Sequence, residues 1–316
     1  MRALIIGAAG FVGKYLIQHL HETYDWELYA TKLAHETLET DLAAVYDLDI
    51  LDKENTAEIL GGIAPDYIFY LAAQSSVALS WKNPELTVDI NIKGCLNLFN
   101  VIREIGQHPR ILCIGSGEEY GYIRPDQTPV REDTPLNPGN IYAATKACQN
   151  MLGAIYARAY GLDIILVRAF NHIGPEQAPI FVVSDFCRQV ARIEKLGLEP
   201  VIHVGNLEAK RDFTDVRDVV RAYGLLIQHG EKGQTYNIGS GHAIRIRSIL
   251  DNILKLSTVP ITVEVETSRL RPLDIPIIEA DISRLQSCVP WKPEIPMDQT
   301  LKETLDYWRQ EILFNK

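Results

Sequence analysis

The stretch Met1-Arg-Ala-Leu-Ile-Ile-Gly-Ala-Ala-Gly-Phe-Val-Gly-Lys14 decides the fold. Its first part, Arg2 to Ile6, is a short branched apolar run that ends at a glycine, which is typical of a buried β-strand. From Phe11 onward, apolar side chains recur at the spacing of one helix face. The stretch therefore predicts a strand, a glycine loop and a helix in direct succession.

Three glycines, Gly7, Gly10 and Gly13, lie between the predicted strand and helix. A dinucleotide pyrophosphate needs glycines there for a tight turn, for close approach of the backbone and for packing of helix on strand. The helix N-terminus adds free N–H groups and the positive end of the helix dipole. We therefore predict a dinucleotide site that includes Phe11 and Val12, and the alternative is a glycine turn that serves packing alone.

The overall charge excludes several classes of partner. The chain carries 41 acidic and 31 basic side chains, a formal net charge of -10. Because such a chain is repelled by phosphate backbones and anionic lipids, we expect neither nucleic acid nor membrane as a partner. An anionic substrate would have to be held by a local group of arginines.

The cysteines indicate a reducing compartment. There are five, they are scattered, and no Cys-x-x-Cys is present. This pattern predicts free thiols in a cytoplasmic protein and no metal site. The apolar run at the start is too short for a signal peptide, and no stretch is long enough to cross a bilayer.

Strand-like and helix-like patterns alternate regularly as far as Arg168. This alternation predicts an α/β fold, a doubly wound parallel sheet of the Rossmann type. Further strands are predicted at residues 26–32, 43–48, 66–71, 110–115 and 162–168. Beyond Asn171 the regularity fades, which predicts a smaller α/β substrate-binding lobe. We assign residues 1–170 and about 207–240 to the NAD(P)-binding domain, and 171–206 and 241–316 to the lobe.

Other predicted cofactor residues follow the next strands. The second strand ends at Lys32 without the carboxylate that holds the adenosine ribose in many NAD enzymes. Lys32 can meet a 2′-phosphate, which slightly favours NADP over NAD, or it can be a solvated charge. An acid with an apolar neighbour, Asp49 and Ile50, suits an adenine ring, whereas Asp52 fits better as a helix cap. The small residues of Leu71-Ala72-Ala73 let the backbone approach a ligand.

Two long helices are predicted, at residues 84–105 and 142–160, and both are apolar on more than one face. A surface helix normally shows one apolar stripe. We therefore expect a homodimer in which a second copy covers the additional faces.

The candidate catalytic residues are Ser116, Tyr142 and Lys146. Tyr142 and Lys146 are one helical turn apart, so their side chains share a face. An ammonium group near a phenol stabilises the phenolate and lowers a pKa that is ordinarily near ~10. Ser116 ends the fifth strand, where its hydroxyl can hydrogen-bond a substrate oxygen. Tyr-x-x-x-Lys also occurs by chance in helices. Here it indicates a catalytic pair because it follows the glycine loop and the alternating strands and helices.

Taken together, these motifs resemble the extended short-chain dehydrogenase/reductases that act on nucleotide sugars. The matching stretches are Gly7–Gly13, Leu71–Ala73, Asn91, Ser116 with Tyr120-Gly121, Tyr142–Lys146 and Arg271-Pro-Leu-Asp274. The resemblance implies that the tyrosine transfers the proton, the lysine binds the nicotinamide ribose and the serine holds the reacting oxygen. Asn91 would lie near the active site or hold backbone.

The second half resembles the GDP-sugar branch of that family, both its 4,6-dehydratases and its 4-keto-6-deoxymannose reductases. The resembling stretches are Arg168–Gln177, Phe181–Phe186, Gly205–Asp212 and Arg269–Pro276. By this resemblance Arg211 and Arg271 bind the substrate diphosphate, which suits the forked guanidinium group. The other expected substrate contacts are Ser76, Glu118, Asn171, Val182, Asn206 and Asp274.

The resemblance implies that NADPH or NADH reduces the C4 ketone of GDP-4-keto-6-deoxy-D-mannose to give GDP-D-rhamnose. The residues after Ser116 keep an alternative open. Many dehydratases carry Thr-Asp-Glu or Thr-Ser-Glu where this chain has Ser116-Gly117-Glu118. Glu118 can still act as a base if its environment suits. A 4,6-dehydratase or 4-epimerase with tightly bound NAD(P) therefore stays open, as does a non-catalytic NAD(P)-sensing scaffold.

Overall fold

The computed structural model describes residues 1–269 and 275–314. The strands over these residues are β1 (Arg2–Ile6), β2 (Glu27–Lys32), β3 (Ala44–Asp47), β4 (Tyr67–Tyr70), β5 (Arg110–Ser116), β6 (Asp163–Ala169), β7 (Asn171–Ile173), β8 (Val201–Val204), β9 (Lys210–Asp215), β10 (Thr235–Ile238), β11 (Ala243–Arg245), β12 (Thr262–Val265) and β13 (Ile277–Ile278). The helices are α1 (Phe11–Thr23), α2 (Lys53–Ile63), α3 (Val77–Lys82), α4 (Pro84–Val88), α5 (Gly94–Glu104), α6 (Ile141–Ala159), α7 (Val182–Leu196), α8 (Val216–His229), α9 (Ile246–Lys255), α10 (Ser283–Cys288) and α11 (Met297–Phe314).

The predicted doubly wound sheet is confirmed. Seven strands run in the order β3-β2-β1-β4-β5-β6-β10, and every adjacent pair is parallel. The strand order reverses between β1 and β4. In open α/β sheets, ligands bind beyond the carboxyl ends of the strands at such a reversal. The glycine loop that follows β1 lies at this place.

Helices cover both faces of the large sheet and form two cores. On one face α1 and α8 contribute side chains such as Leu16 and Val219. On the other face α2, α5 and α6 contribute Ile59, Leu98 and Tyr156. Because both faces are buried, the strands consist of nearly continuous apolar residues instead of alternating ones.

A third core forms the smaller lobe. Helices α7, α9 and α11 pack against two small sheets, one formed by β7, β9, β11 and β13 and the other by β8 and β12. The sequence pattern predicts helices at 181–196, 246–256 and 298–313 and a strand at 261–265, which the structure forms as α7, α9, α11 and β12. It predicts a loop at 205–211, whereas β9 begins at Lys210. Residues Leu285, Val289 and Trp291, from a range that we assigned to the lobe, pack in the core of the large sheet.

The helix predicted over residues 84–105 is wrong as a continuous α-helix. The chain forms α4, then a π-helical turn over Asp89–Lys93, then α5. Asn91 lies in this turn and is fully buried, with hydrogen bonds to Gln74 and Thr145. The wider turn points this amide inward, toward Gln74 and Thr145. Helical periodicity in the sequence does not reveal such contacts with distant residues.

Membrane-spanning helices and metal-binding clusters would both bear directly on function. Among the described residues, none of the helices combines the length and apolar character that crossing a bilayer requires. Over the same residues, no cluster of three or more histidine, cysteine, aspartate or glutamate side chains is placed to bind a metal ion.

Candidate active site

The glycine loop has the geometry of a phosphate cradle. Gly7 has φ +83°, a conformation that side-chain-bearing residues rarely adopt, and a Cβ there would lie 2.7 Å from the Ala72 backbone. At Gly13 a Cβ would lie 2.2 Å from the Ala8 oxygen, so this glycine lets α1 pack closely on the loop. At Gly10, the exposed N-cap of α1, a Cβ would meet only the Gly7 oxygen, at 3.6 Å. The helix N-terminus is therefore open to a ligand.

Lys32 is not a free cation at the end of β2. Its Nζ forms an ion pair of 2.5 Å with Asp47 at the end of β3, and the parallel register places the two residues opposite each other. The Lys32 side chain is 18% exposed, whereas that of Asp47 is 58% exposed. A 2′-phosphate at this position would meet the lysine together with its carboxylate partner.

The residues predicted around the adenine and nicotinamide lie at the same sheet edge. Asp49 is exposed, but its Oδ1 accepts the N–H of Leu51 at 2.9 Å. Ile50 is buried in the core and packs against Gly94. Leu71, Ala72 and Ala73 follow β4 and are half-buried beside the glycine loop.

Asn91 holds backbone, which is one of the two roles that the sequence left open. Its Oδ1 accepts the N–H of Gln74 at 2.8 Å, and its Nδ2 donates to the Gln74 carbonyl at 3.1 Å. The same amide donates to Thr145 Oγ1 at 2.9 Å. Asn91 therefore ties the loop after β4 to the helix that carries Tyr142 and Lys146.

The structure brings Ser116 and Tyr142 together. Ser116 is the last residue of β5, Tyr142 lies in the first turn of α6, and the Ser116 hydroxyl lies near enough to the phenol to oppose the rise of the Tyr142 pKa. The N-cap Asn140 starts α6 by accepting the N–H of Ala143 at 2.8 Å. The two hydroxyl groups can therefore approach one substrate oxygen.

Lys146 is buried and firmly held. Its Nζ donates to the Ile114 carbonyl at 2.7 Å and to Gln149 Oε1 at 3.1 Å. Burial lowers the pKa of Lys146 from its ordinary value, and the neighbouring Cys113 and Glu119 oppose that shift. The two acceptors compensate for part of the desolvation of the ammonium group.

The expected lowering of the Tyr142 pKa by Lys146 is not found. The pKa of Tyr142 is raised, first by burial and then by the carboxylates of Glu118 and Glu119, while the hydrogen bond from Ser116 opposes the shift. A raised pKa keeps the phenol protonated at neutral pH. This is the form that gives a proton to a developing alkoxide, whereas the reverse oxidation needs the phenolate.

The chain departs from the dehydratase pattern at Gly117 and agrees with it at Glu118. The Glu118 backbone N–H donates to Ser116 Oγ at 3.2 Å, and its Oε2 accepts from Asn140 Nδ2 at 3.3 Å. A Cβ at Gly117 would lie 3.0 Å from the ring of Phe170. The packed ring therefore leaves little space for an acidic side chain at position 117, while Glu118 remains near Tyr142.

The predicted substrate residues lie on several elements. Ser76 caps α3, accepting the N–H of Leu79 at 3.2 Å. Asn171 begins β7 and Val182 begins α7. Asn206 Oδ1 accepts the N–H of Glu208 at 2.9 Å. Arg271 and Asp274 lie outside the described residues.

Arg211 is buried on β9, and carbonyl groups hold it. Its Nη1 donates to the Ile275 oxygen at 2.7 Å and to the Lys210 oxygen at 2.9 Å. The nearby carboxylates of Asp212 and Asp215 are not the acceptors in these two bonds. Asp212 accepts from Ser240 and Asp215 binds Arg217.

Sequence reasoning missed a buried polar network behind Ser116. It consists of Glu119, Tyr120, Asn150, Arg168 and Asn237. One signal was available, because Ser116-x-x-Glu119 is a capping box, and the structure forms it. The partners on α6, β6 and β10 come from distant parts of the chain, so the sequence did not indicate them.

This fold and this arrangement of serine, tyrosine and lysine define a short-chain dehydrogenase/reductase of the extended, nucleotide-sugar type. Within that class, the chain belongs to the GDP-mannose 4,6-dehydratase family, whose model matches residues 4–304.

The relatives include more than one activity. A GDP-6-deoxy-D-mannose reductase from Pseudomonas aeruginosa is 31% identical over 98% of both chains. A solved structure of RMD from Pseudomonas aeruginosa complexed with NADPH is 30% identical, covers 98% of this chain and 99% of its own, and has a TM-score of 0.88. A GDP-mannose 4,6-dehydratase from Yersinia enterocolitica is 27% identical, over 96% of this chain and 92% of its own.

Proposed function

We propose that this protein reduces the C4 ketone of GDP-4-keto-6-deoxy-D-mannose to give GDP-D-rhamnose, with NADPH or NADH as the reductant. The observation that carries the proposal is that Ser116, the last residue of β5, lies beside a protonated Tyr142 in the first turn of α6. The likeness to the Pseudomonas aeruginosa reductase over nearly the whole chain supports this activity.

The residues at the first strand fit a dinucleotide. Gly7, Gly10 and Gly13, with Phe11 and Val12, would hold the pyrophosphate at the open N-terminus of α1. Toward the adenosine end, Lys32, Asp49 and Ile50 would lie at the ends of β2 and β3. Leu71, Ala72 and Ala73 would contact the middle of the molecule, and Lys146 the nicotinamide ribose. When bound, the reduced nicotinamide supplies the hydride.

The chain itself supplies the proton and the charge stabilisation. Ser116 donates a hydrogen bond to the C4 oxygen, and Tyr142 transfers its phenolic proton to that oxygen as negative charge develops. Afterwards Tyr142 is a phenolate and takes up a proton from solvent to restore the acid.

The substrate nucleotide would lie along the smaller lobe. A groove of about 470 Å³ is lined by Asp185, Arg188, Arg192, His203 and Arg269, among others. Its residue Asp185 lies one helical turn after Val182 on α7, and its residue Arg269 precedes Arg271 by two positions in the chain. Arg188 and Arg192 provide local positive charge of the kind that a diphosphate requires, whereas Arg269 is already paired with Asp185 and Glu266. Arg211, Asn171, Asn206, Ser76 and Asp274 complete the proposed substrate contacts.

A GDP-sugar 4,6-dehydratase is the second candidate, and Glu118 favours it. Its carboxylate lies close enough to Tyr142 to raise the pKa of the phenol. A carboxylate there can remove a proton from the sugar ring as a hydroxyl group leaves as water, and the bound oxidised cofactor would be reduced first and oxidised again afterwards. Such a reaction leaves no net change in the amount of reduced nicotinamide.

One assay separates these two functions. The protein is mixed with freshly prepared GDP-4-keto-6-deoxy-D-mannose and either NADPH or NADH, and the absorbance of the reduced nicotinamide is followed. We expect consumption of one equivalent of cofactor per keto sugar and GDP-D-rhamnose as the product. A parallel sample with GDP-mannose and oxidised cofactor tests for the dehydratase. Formation of the keto sugar there, with no reduction in the first sample, would overturn the reductase assignment.

We also propose a cytoplasmic homodimer that forms through α3, α4 and α6. Apolar side chains on these helices are exposed, including Trp81 at 61%, Met151 at 54% and Ile155 at 46%. Neighbouring helices that display apolar side chains together are typical of an interface. Ile155→Glu places a charge on this surface, so sedimentation velocity at micromolar concentration should change from dimer to monomer. A wild-type protein that sediments as a monomer would contradict the proposal.

A further inference from the structure

Glu119 is a fully buried carboxylate directly behind the catalytic loop. Its Oε1 accepts the backbone N–H of Ser116 at 2.8 Å and Nδ2 of Asn150 at 2.6 Å. One oxygen thus joins the end of β5 to α6, the helix that carries Tyr142. The position of Ser116 relative to Tyr142 depends on this joint.

The other oxygen of Glu119 is neutralised by an equally buried arginine. Oε2 accepts from Arg168 Nε at 3.0 Å, and the two side chains are 0% and 8% exposed. Arg168 Nη1 also donates to the Tyr120 hydroxyl and to the Glu132 carbonyl, both at 3.0 Å. Since each charge is paired and hydrogen-bonded, Glu119 has little freedom to move.

The strand is shaped to admit this carboxylate. A Cβ at Gly115 would lie 2.0 Å from Asn150 Nδ2 and 2.3 Å from Glu119 Oε1. Any side chain at position 115 would therefore displace both partners. Gly115, the Asn150 amide and the Glu119 carboxylate therefore fit together around the backbone of Ser116.

We infer that Glu119 is a positioning residue of the proposed reduction. It holds the backbone of Ser116 so that the serine hydroxyl stays beside the hydroxyl of Tyr142. The inference rests on the proposed function. Glu119 faces Arg168 and the backbone instead of the substrate, so its hydrogen bonds reach the reacting groups through Ser116 and Asn150, while its charge also raises the pKa of Tyr142 and Lys146. Because misplacing a reacting group by a fraction of an ångström slows chemistry more than binding, its loss should lower kcat and leave KM unchanged.

Glu132 provides a matched control for Glu119. Its side chain is 4% exposed, and its Oε1 accepts the N–H of Asn237 at 2.9 Å. Glu132 therefore belongs to the same buried network, but no bond connects its carboxylate to Ser116. Glu119→Gln and Glu132→Gln each replace one buried carboxylate by an amide of the same shape.

The experiment measures kcat, KM for the keto sugar, KM for the reduced cofactor and the midpoint of thermal unfolding. We expect Glu119→Gln to lower kcat by about 10- to 100-fold with both KM values within about twofold of wild type. Glu132→Gln should keep kcat within about twofold of wild type, even if its unfolding midpoint falls as far as that of Glu119→Gln. If Glu119→Gln does not fold, Asn150→Leu tests the same oxygen and should lower kcat alone by about tenfold.

Two results would overturn the inference. In the first, both glutamate variants lose the same share of kcat for the same loss of thermal stability. In the second, Glu119→Gln, or Asn150→Leu in its place, turns over like the wild type. A wild-type protein that consumes no reduced cofactor with the keto sugar overturns the proposed function and this inference with it.

Discussion

Replacing Tyr142 by phenylalanine is expected to lower kcat by about 10²- to 10⁴-fold, the usual contribution of a positioned general acid. The phenolic O–H is the proton source of the proposed reduction, and its raised pKa keeps it protonated at neutral pH. Phenylalanine retains the ring, which is 9% exposed and packed at the start of α6. The affinity for the reduced cofactor should therefore stay within about twofold, since the glycine loop and Lys146 are unchanged.

Tyr156→Phe is the matched control for this measurement. Tyr156 lies on the same helix, is equally exposed at 9%, and donates its hydroxyl proton to Asn100 Oδ1 at 2.8 Å. Both variants lose one hydroxyl from one helix, so a general loss of stability should affect them alike. Steady-state reduction of the keto sugar and fluorescence titration with NADPH give the two readouts. Wild-type turnover in Tyr142→Phe would remove this tyrosine from the mechanism.

The candidate catalytic residues can be identified from the sequence because the relevant geometry is local. Tyr142 and Lys146 share a face through helical spacing alone, and Ser116 ends a strand whose apolar run is continuous. The parallel sheet then places strand ends at one edge. Neither step required knowledge of a distant contact.

Contacts between distant segments explain what the sequence did not show. The π-turn at Asn91 depends on Gln74 and Thr145, which are 17 and 54 residues away. Lys32 is paired with Asp47 because β2 and β3 are adjacent and in register. A linear pattern records neither relation, so Lys32 resembled a free cation.

The lobe was harder to predict than the large sheet for a related reason. Its strands β7 and β11 have three residues each, which is too short to display an apolar period. They form because β9 offers hydrogen-bonding partners, its first half to β11 and its second half to β7. The buried Asp212 on β9 accepts the N–H groups of Ser240, Gly241 and Ala280, which fixes the adjoining loops.

Two glycines of the first loop should give opposite results on replacement by alanine. Gly7→Ala imposes a side chain at φ +83° and places its Cβ 2.7 Å from the Ala72 backbone. Left-handed strain and the overlap together should reduce the free energy of unfolding by about 2–4 kcal/mol. In thermal unfolding this corresponds to a midpoint that is lower by about 3–6 °C.

Gly10→Ala should retain the fold and weaken the dinucleotide. Its Cβ would meet only the Gly7 oxygen, at the ordinary contact distance of 3.6 Å, so the unfolding midpoint should stay within about 2 °C of wild type. The same methyl group would stand at the exposed start of α1, where the N–H groups must reach the pyrophosphate. We expect at least about tenfold weaker binding of NADPH and NADH, since that binding depends on close backbone approach. Unchanged affinity in Gly10→Ala would show that this glycine serves only the turn, and the dinucleotide would then have to bind elsewhere along the sheet edge.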